Sequence, residues 1–119
     1  NVPYDRVILP LIEGYYDAGA TDKANKLAER LFDIMDENMQ WQLSLDDKFY
    51  SMLGQETDIT RAVMSRMVED VKNQGGDAAL TEKLQKRMAE VNEEFAIKNG
   101  EPTAPPAPGE QRPTSRIKL

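Results

Sequence analysis

Leu11-Ile12-Glu13-Gly14-Tyr15-Tyr16-Asp17-Ala18-Gly19-Ala20-Thr21-Asp22-Lys23-Ala24 is the stretch whose reading decides the fold. Val7, Leu11 and Tyr15 stand four apart, so they share one helix face, and the spacing predicts them as a core stripe. Tyr16 lies one residue round, at the predicted edge of that face. Gly19 should end the helix, because glycine enters the left-handed conformation without a Cβ clash. Thr21 is the expected cap of a second helix, with Asp22 where the helix dipole favours a negative charge. Ala24 is small enough for the two helices to approach closely. The stretch therefore spells an antiparallel helical hairpin.

The rest of the chain repeats this grammar. The first helix should run from about Tyr4 to Ala18, with Asp5 as its cap and Pro10 producing a kink or an irregular first turn. The second should run from Thr21 to about Leu43. It carries one stripe of Ala24, Leu27, Leu31 and Ile34 and a rotated one of Ala28, Phe32, Met35, Met39 and Leu43. Two apolar faces place it between neighbours. Ser44 with Asp47 resembles a capping box opening a third helix with Leu45, Phe49, Met52 and Leu53, and Gly54 weakens its end. Thr57 or Asp58 should cap a fourth, carrying Ile59, Val63, Met67, Val68 and Val71 up to Gly75-Gly76. Asp77 should cap the last, with the stripe Leu80, Leu84, Met88, Val91 and Phe95 and with Gly100 at its C′ position.

Met67, Val71, Gly75 and Leu80 repeat the offsets of Leu11, Tyr15, Gly19 and Ala24, at a separation of 56 residues. A regular tetratricopeptide array has a period of about 34 residues. The chain thus reads as two helical hairpins with an extra helix between them. Such hairpins are the unit of tetratricopeptide-type repeats, which bind proteins; an ordinary antiparallel helix pair in any bundle would carry the same residues.

The 119 residues suffice for one domain with one core, and a composition rich in charged residues and helix formers points to an all-α fold. The expectation is a four- or five-helix tetratricopeptide-like bundle over residues 1–100. Residues 101–119 read as a disordered tail, because Glu101–Glu110 holds four prolines, one glycine and no apolar side chain beyond two alanines. Pro102 and Pro105 fit a P-x-x-P spacing that any Pro-rich stretch produces.

A formal net charge of −6 argues against nucleic acid as a partner. With neither Cys nor His, the chain lacks a thiolate nucleophile, an imidazole base and the common zinc ligands, so no cofactor and no metal site is expected. No apolar run nears the roughly 20 residues of a membrane span, so this segment should not insert directly. Asp33, Asp36 and Glu37 share a helix face but supply too few ligands for a cation and read as a solvated face. Asp46-Asp47, Glu69-Asp70 and Glu93-Glu94 are adjacent in sequence and so diverge around a helix, as surface charge does. The residues singled out for binding are Glu13, Tyr16 and Asp17, on the exposed rim of the first hairpin, and Trp41 near the end of the second helix. No catalytic residue is assigned. A face lined by Tyr and Asn would favour interaction, converging buried carboxylates would favour an enzyme part, and a large apolar patch would favour oligomerisation.

Asn1-Val2-Pro3-Tyr4-Asp5, Leu9-Pro10, Tyr15-Tyr16-x-Ala18-Gly19, Lys23-Ala24-Asn25 and Ser44-Leu45-Asp46-x-Lys48-Phe49 together resemble the C-terminal region of a bacterial family of multi-pass membrane proteins. That family carries a domain of unknown function. It is similar to protein O-mannosyltransferases, and its C-terminal part is similar to tetratricopeptide repeats. The resemblance covers residues 1–55 well and 56–98 loosely. It implies a soluble domain of a membrane-anchored parent, expected on the periplasmic side, whose partner is another protein or the rest of its own parent chain. Catalytic carboxylates of such a transferase would lie in the membrane part, so none carries over. It also implies that the apolar edge of the first helix packs on a preceding helix, and an initial Asn fits a processed or excised chain.

Overall fold

The computed structural model of the chain describes residues 6–100. The expected tail at 101–119 and the expected cap Asp5 lie outside the described residues. Among the described residues five helices follow one another: α1 (Ile8–Asp17), α2 (Thr21–Ser44), α3 (Asp47–Ser51), α4 (Glu56–Gln74) and α5 (Ala78–Lys98). The domain is an all-α bundle. α1 and α2 form one antiparallel hairpin, α4 and α5 a second, and the short α3 joins them.

Each hairpin turn follows from its sequence. At the first, Gly19 takes φ +81°. Its amide donates to the Tyr16 carbonyl, and the Ala20 amide donates to Tyr15 at 2.8 Å. That pair of bonds is the Schellman closure, which satisfies carbonyls the helix end would otherwise orphan. The tight turn also corrects the expected cap. Ala20 is the N-cap, without a side-chain bond, and Thr21 is already helical. At the second turn Asp77 caps α5 as expected, its Oδ1 accepting from the Leu80 amide at 2.9 Å. Pro10 does not break α1, because the helix starts at Ile8 and the proline falls in the first turn, where amides have no intrahelical partner anyway.

The two hairpins stack in parallel. α4 packs against both α1 and α2, and α2 runs alongside α5. A ladder of side chains sets the register. Lys83 meets Glu29 at 2.5 Å, the Arg87 guanidinium spans Asp33 at 2.6 Å and Asp36 at 3.1 Å, and Gln40 donates to Glu94 at 3.1 Å. Partners separated by a nearly constant number of residues along two helices mean that the helices point the same way. Asp33 and Glu37 are exposed as expected, but Asp36 is buried and with Asp33 docks Arg87, and Glu94 is buried rather than surface charge.

The core is one cluster, with Ile12, Phe32, Met35, Met39, Met64, Met67, Leu84 and Val91 nearly or fully sealed from solvent. The predicted stripe of α5 is buried throughout. Elsewhere the register differs from expectation. α1 buries Leu9, Ile12 and Tyr16, leaving Val7 53% and Leu11 45% exposed. On α2, Leu31 is buried, Leu27 half-buried and Ile34 exposed, because α1 is only 10 residues long and covers the start of a 24-residue neighbour. Ile59 of α4 is exposed as well.

Ser44 does not open α3; its hydroxyl donates back to the Trp41 carbonyl, and Asp46 is the cap, accepting from the Phe49 amide at 3.0 Å. α3 buries no residue, and Phe49 and Met52 stay exposed. α4 begins at Glu56 after Gln55, which makes no side-chain cap, so neither Thr57 nor Asp58 plays that part.

Substituting Leu31→Ala should cost about 2–5 kcal/mol, since a buried side chain leaves a cavity. Ile34→Ala, one turn along the same stripe, should cost under about 0.5 kcal/mol. Urea denaturation of the two variants reads the difference, and equal losses would mean that the outer side of α2 is covered.

Candidate functional site

Of the four residues singled out for binding, Glu13 and Tyr16 turn inward. Both Glu13 oxygens are held by Arg66 of α4, with Nε and Nη2 each at 2.9 Å. Tyr16 is buried, not on the rim; its hydroxyl donates to Asn25 Oδ1 at 2.6 Å, and Asn25 Nδ2 donates to the Gly75 carbonyl at 2.9 Å. Asp17 is exposed, and Trp41 is 57% exposed far along α2. The structure does not bring the four together.

It does bring together a pair that the sequence conceals. Asp70, one turn beyond Arg66 on α4, faces Glu13. Burial first, then the hydrogen bond with Glu13 and its charge, push the Asp70 carboxyl from an ordinary 3.8 up to about 7. Glu13 is held below its ordinary value, chiefly by the hydrogen bond from Asp70 and also by Arg66. Asp70 Oδ2 is a buried oxygen with no donor opposite it among the described residues. A proton on Asp70 resolves this, because the carboxyl then becomes the donor to the ionised Glu13. Burial, and then the nearby Asp70 charge, raise the Tyr16 phenol to about 12.

The most distinctive surface lies on the other side of the first hairpin. At 100° per residue, Val7 and Leu11 stand opposite Leu9 and Tyr16 on α1, turned away from α4. On α2, Leu27, Ile34 and Trp41 recur every seven residues, on a side turned away from the row of Glu29 and Asp36 that meets α5. The exposed Val7, Leu11, Ile34 and Trp41 thus belong to one flank, the one facing away from the second hairpin.

Among the described residues, two further clefts stand out. One opens where α2 and α5 begin, lined by Asp22, Asn25, Asp77 and Lys83. The other, of about 400 Å³, lies between α3, the start of α4 and the end of α5. Its aromatic rings are already occupied: Arg61 sits 4.0 Å from the Phe95 centroid and Lys98 5.2 Å from that of Tyr50. Among the described residues no helix is long and apolar enough to cross a membrane.

Compared with protein-family models, curated proteins and solved structures, the chain matches none of them.

The Glu13–Asp70 pair makes stability depend on pH. The folded chain keeps the Asp70 proton up to about 7, whereas the unfolded chain releases it near 3.8, so the folded state binds more protons between those values. That contribution is complete below the lower value and is lost as pH rises towards neutrality. Glu13 acts oppositely, below its own ordinary value. Asp70→Asn keeps a neutral donor to Glu13. Urea midpoints measured from pH 4 to 8 should therefore fall less steeply in this variant, and at pH 8 it should be the more stable protein. An unchanged profile would show that Asp70 is ionised throughout.

Proposed function

We propose that this domain acts by binding, as a helical interaction or scaffolding module. On the resemblance described above, it would be the soluble, periplasmic C-terminal part of a membrane-bound glycosyltransferase-like protein, and its partner would be another protein or the remainder of that parent. The observation that carries the reading is the apolar flank of the first hairpin. Val7, Leu11, Ile34 and Trp41 are exposed together, and grouped apolar side chains at helical spacing are what a helix-binding surface offers. Trp41 would contribute most per residue, as a broad rigid contact with a polar edge.

A photo-reactive amino acid at position 34 or 41 of the full-length protein in cells should cross-link to a discrete polypeptide. The same group at Gln85 or Asn92, exposed on α5, should not. Equal capture at all four positions would sink the reading.

The competing reading, a substrate-holding part of an enzyme, draws on one observation: Glu13 and Asp70 converge with their affinities for protons pushed apart, as acid–base pairs do. Against it stands Arg66, which engages both oxygens of Glu13 and makes the pair a seam between α1 and α4. Incubated with a lipid-linked sugar donor and an acceptor protein, the purified domain should transfer nothing. Turnover abolished by Asp70→Asn would promote the enzyme reading.

A further inference from the structure

We infer that the outer flank of the first hairpin seats a further helical hairpin, stacked as the second hairpin stacks on the first. The inference rests on the binding role proposed above and names its occupant.

The two hairpins are related by a fixed shift along the chain. The left-handed glycines Gly19 and Gly76 stand 57 positions apart, as do Thr21 and Ala78, the first residues of α2 and α5. The structural repeat is therefore one residue longer than the glycine pattern of the sequence suggests. Shifted by that interval, residues 7–41 of the first hairpin fall on residues 64–98 of the second.

On the second hairpin, Met64, Val68, Leu84 and Val91 are buried. Their counterparts are Val7, Leu11, Leu27 and Ile34, all apolar and all exposed or half-exposed. In the opposite direction, Ile12, Tyr16, Phe32 and Met35 are buried in the first hairpin. Their counterparts on the outside of the second are Glu69, Asn73, Ala89 and Asn92, all exposed and three of them polar. A stack of helical units ends in a polar outer face, because the last unit has no neighbour to cover it. Apart from the exposed Ile59 and Ile97, the second hairpin has such an ending and the first does not.

The charges agree. Lys83 and Arg87 dock α5 onto the carboxylates of α2. Their counterparts on α2 are Lys26 and Arg30, which keep the positive charge, are exposed and join no ion pair among the described residues. The expected occupant is therefore a hairpin whose second helix resembles α2. It would carry large apolar residues three apart, like Phe32 and Met35, beside carboxylates four apart, like Glu29 and Asp33.

The test places a copy of residues 1–55 ahead of the full chain, so that a second α2 can reach the flank. The extended protein should unfold in one transition, with a higher urea midpoint and a denaturant slope that grows with its length. Ile34→Asp together with Arg30→Glu in the original segment should lower that midpoint clearly, yet leave the midpoint of the unextended chain almost unchanged. The same copy attached after residue 100, against the polar face, should not raise the midpoint. A leading copy that stays unfolded, melts separately or stabilises equally at either end overturns the inference. Cross-linking at position 34 decides separately whether the flank binds at all. A cross-linked partner with a failed extension would keep the binding role and remove the hairpin as occupant.

Discussion

The chain of contacts from Tyr16 through Asn25 to Gly75 is the constraint on which the rest of the structure depends. Asn25 is buried, so its amide and carbonyl must both find partners or cost the desolvation of a polar group. It accepts from Tyr16 on α1 and donates to the backbone of the turn between α4 and α5. One side chain of α2 thereby ties the first hairpin to the turn of the second. The approach works only because position 75 has no side chain. A Cβ there would lie 2.6 Å from both Asn25 Oδ1 and the Val71 carbonyl oxygen. With this end pinned, the row from Glu29 to Asp36 can meet Lys83 and Arg87 further along, and the Arg87 guanidinium lies 4.7 Å from the Phe32 ring centroid. The exposed ion pairs in that row contribute little individually. Their value lies in holding α2 and α5 in parallel register.

That register turns the molecule into two similar units with unlike outer faces. α4 fills the groove left by α1 and α2, and the apolar sides used in that contact leave a second apolar side on the first hairpin uncovered. The seam between α1 and α4 is different in kind. Beside the buried Leu9 and Tyr16, Glu13, Arg66 and Asp70 add charge to it. The first helix therefore carries a pH-dependent contact and is also a wall of the proposed binding flank.

Local signals in the sequence make much of this legible. The stripe of α5, its Asp77 cap and the Gly19 turn each depend on groups within one or two helical turns, and all three hold. The pairing of helices into two hairpins follows from the same turns. Periodicity could not choose between the two apolar stripes of α1, Val7–Leu11–Tyr15 and Leu9–Ile12–Tyr16, because both repeat at helical spacing. Moving the core by one stripe placed Tyr16 inside and Leu11 outside.

The sequence by itself determined the helical class, the positions of the turns and the apolar faces that a core could use, since these depend on backbone preference and spacing along one chain. The tertiary structure decided which of those faces is covered, that Asp70 meets Glu13 across 57 residues, and that α2 and α5 run parallel. Those outcomes depend on how far one helix reaches along another. Here the reach is short, because α1 spans 10 residues beside an α2 of 24, and the side of α2 beyond it stays open.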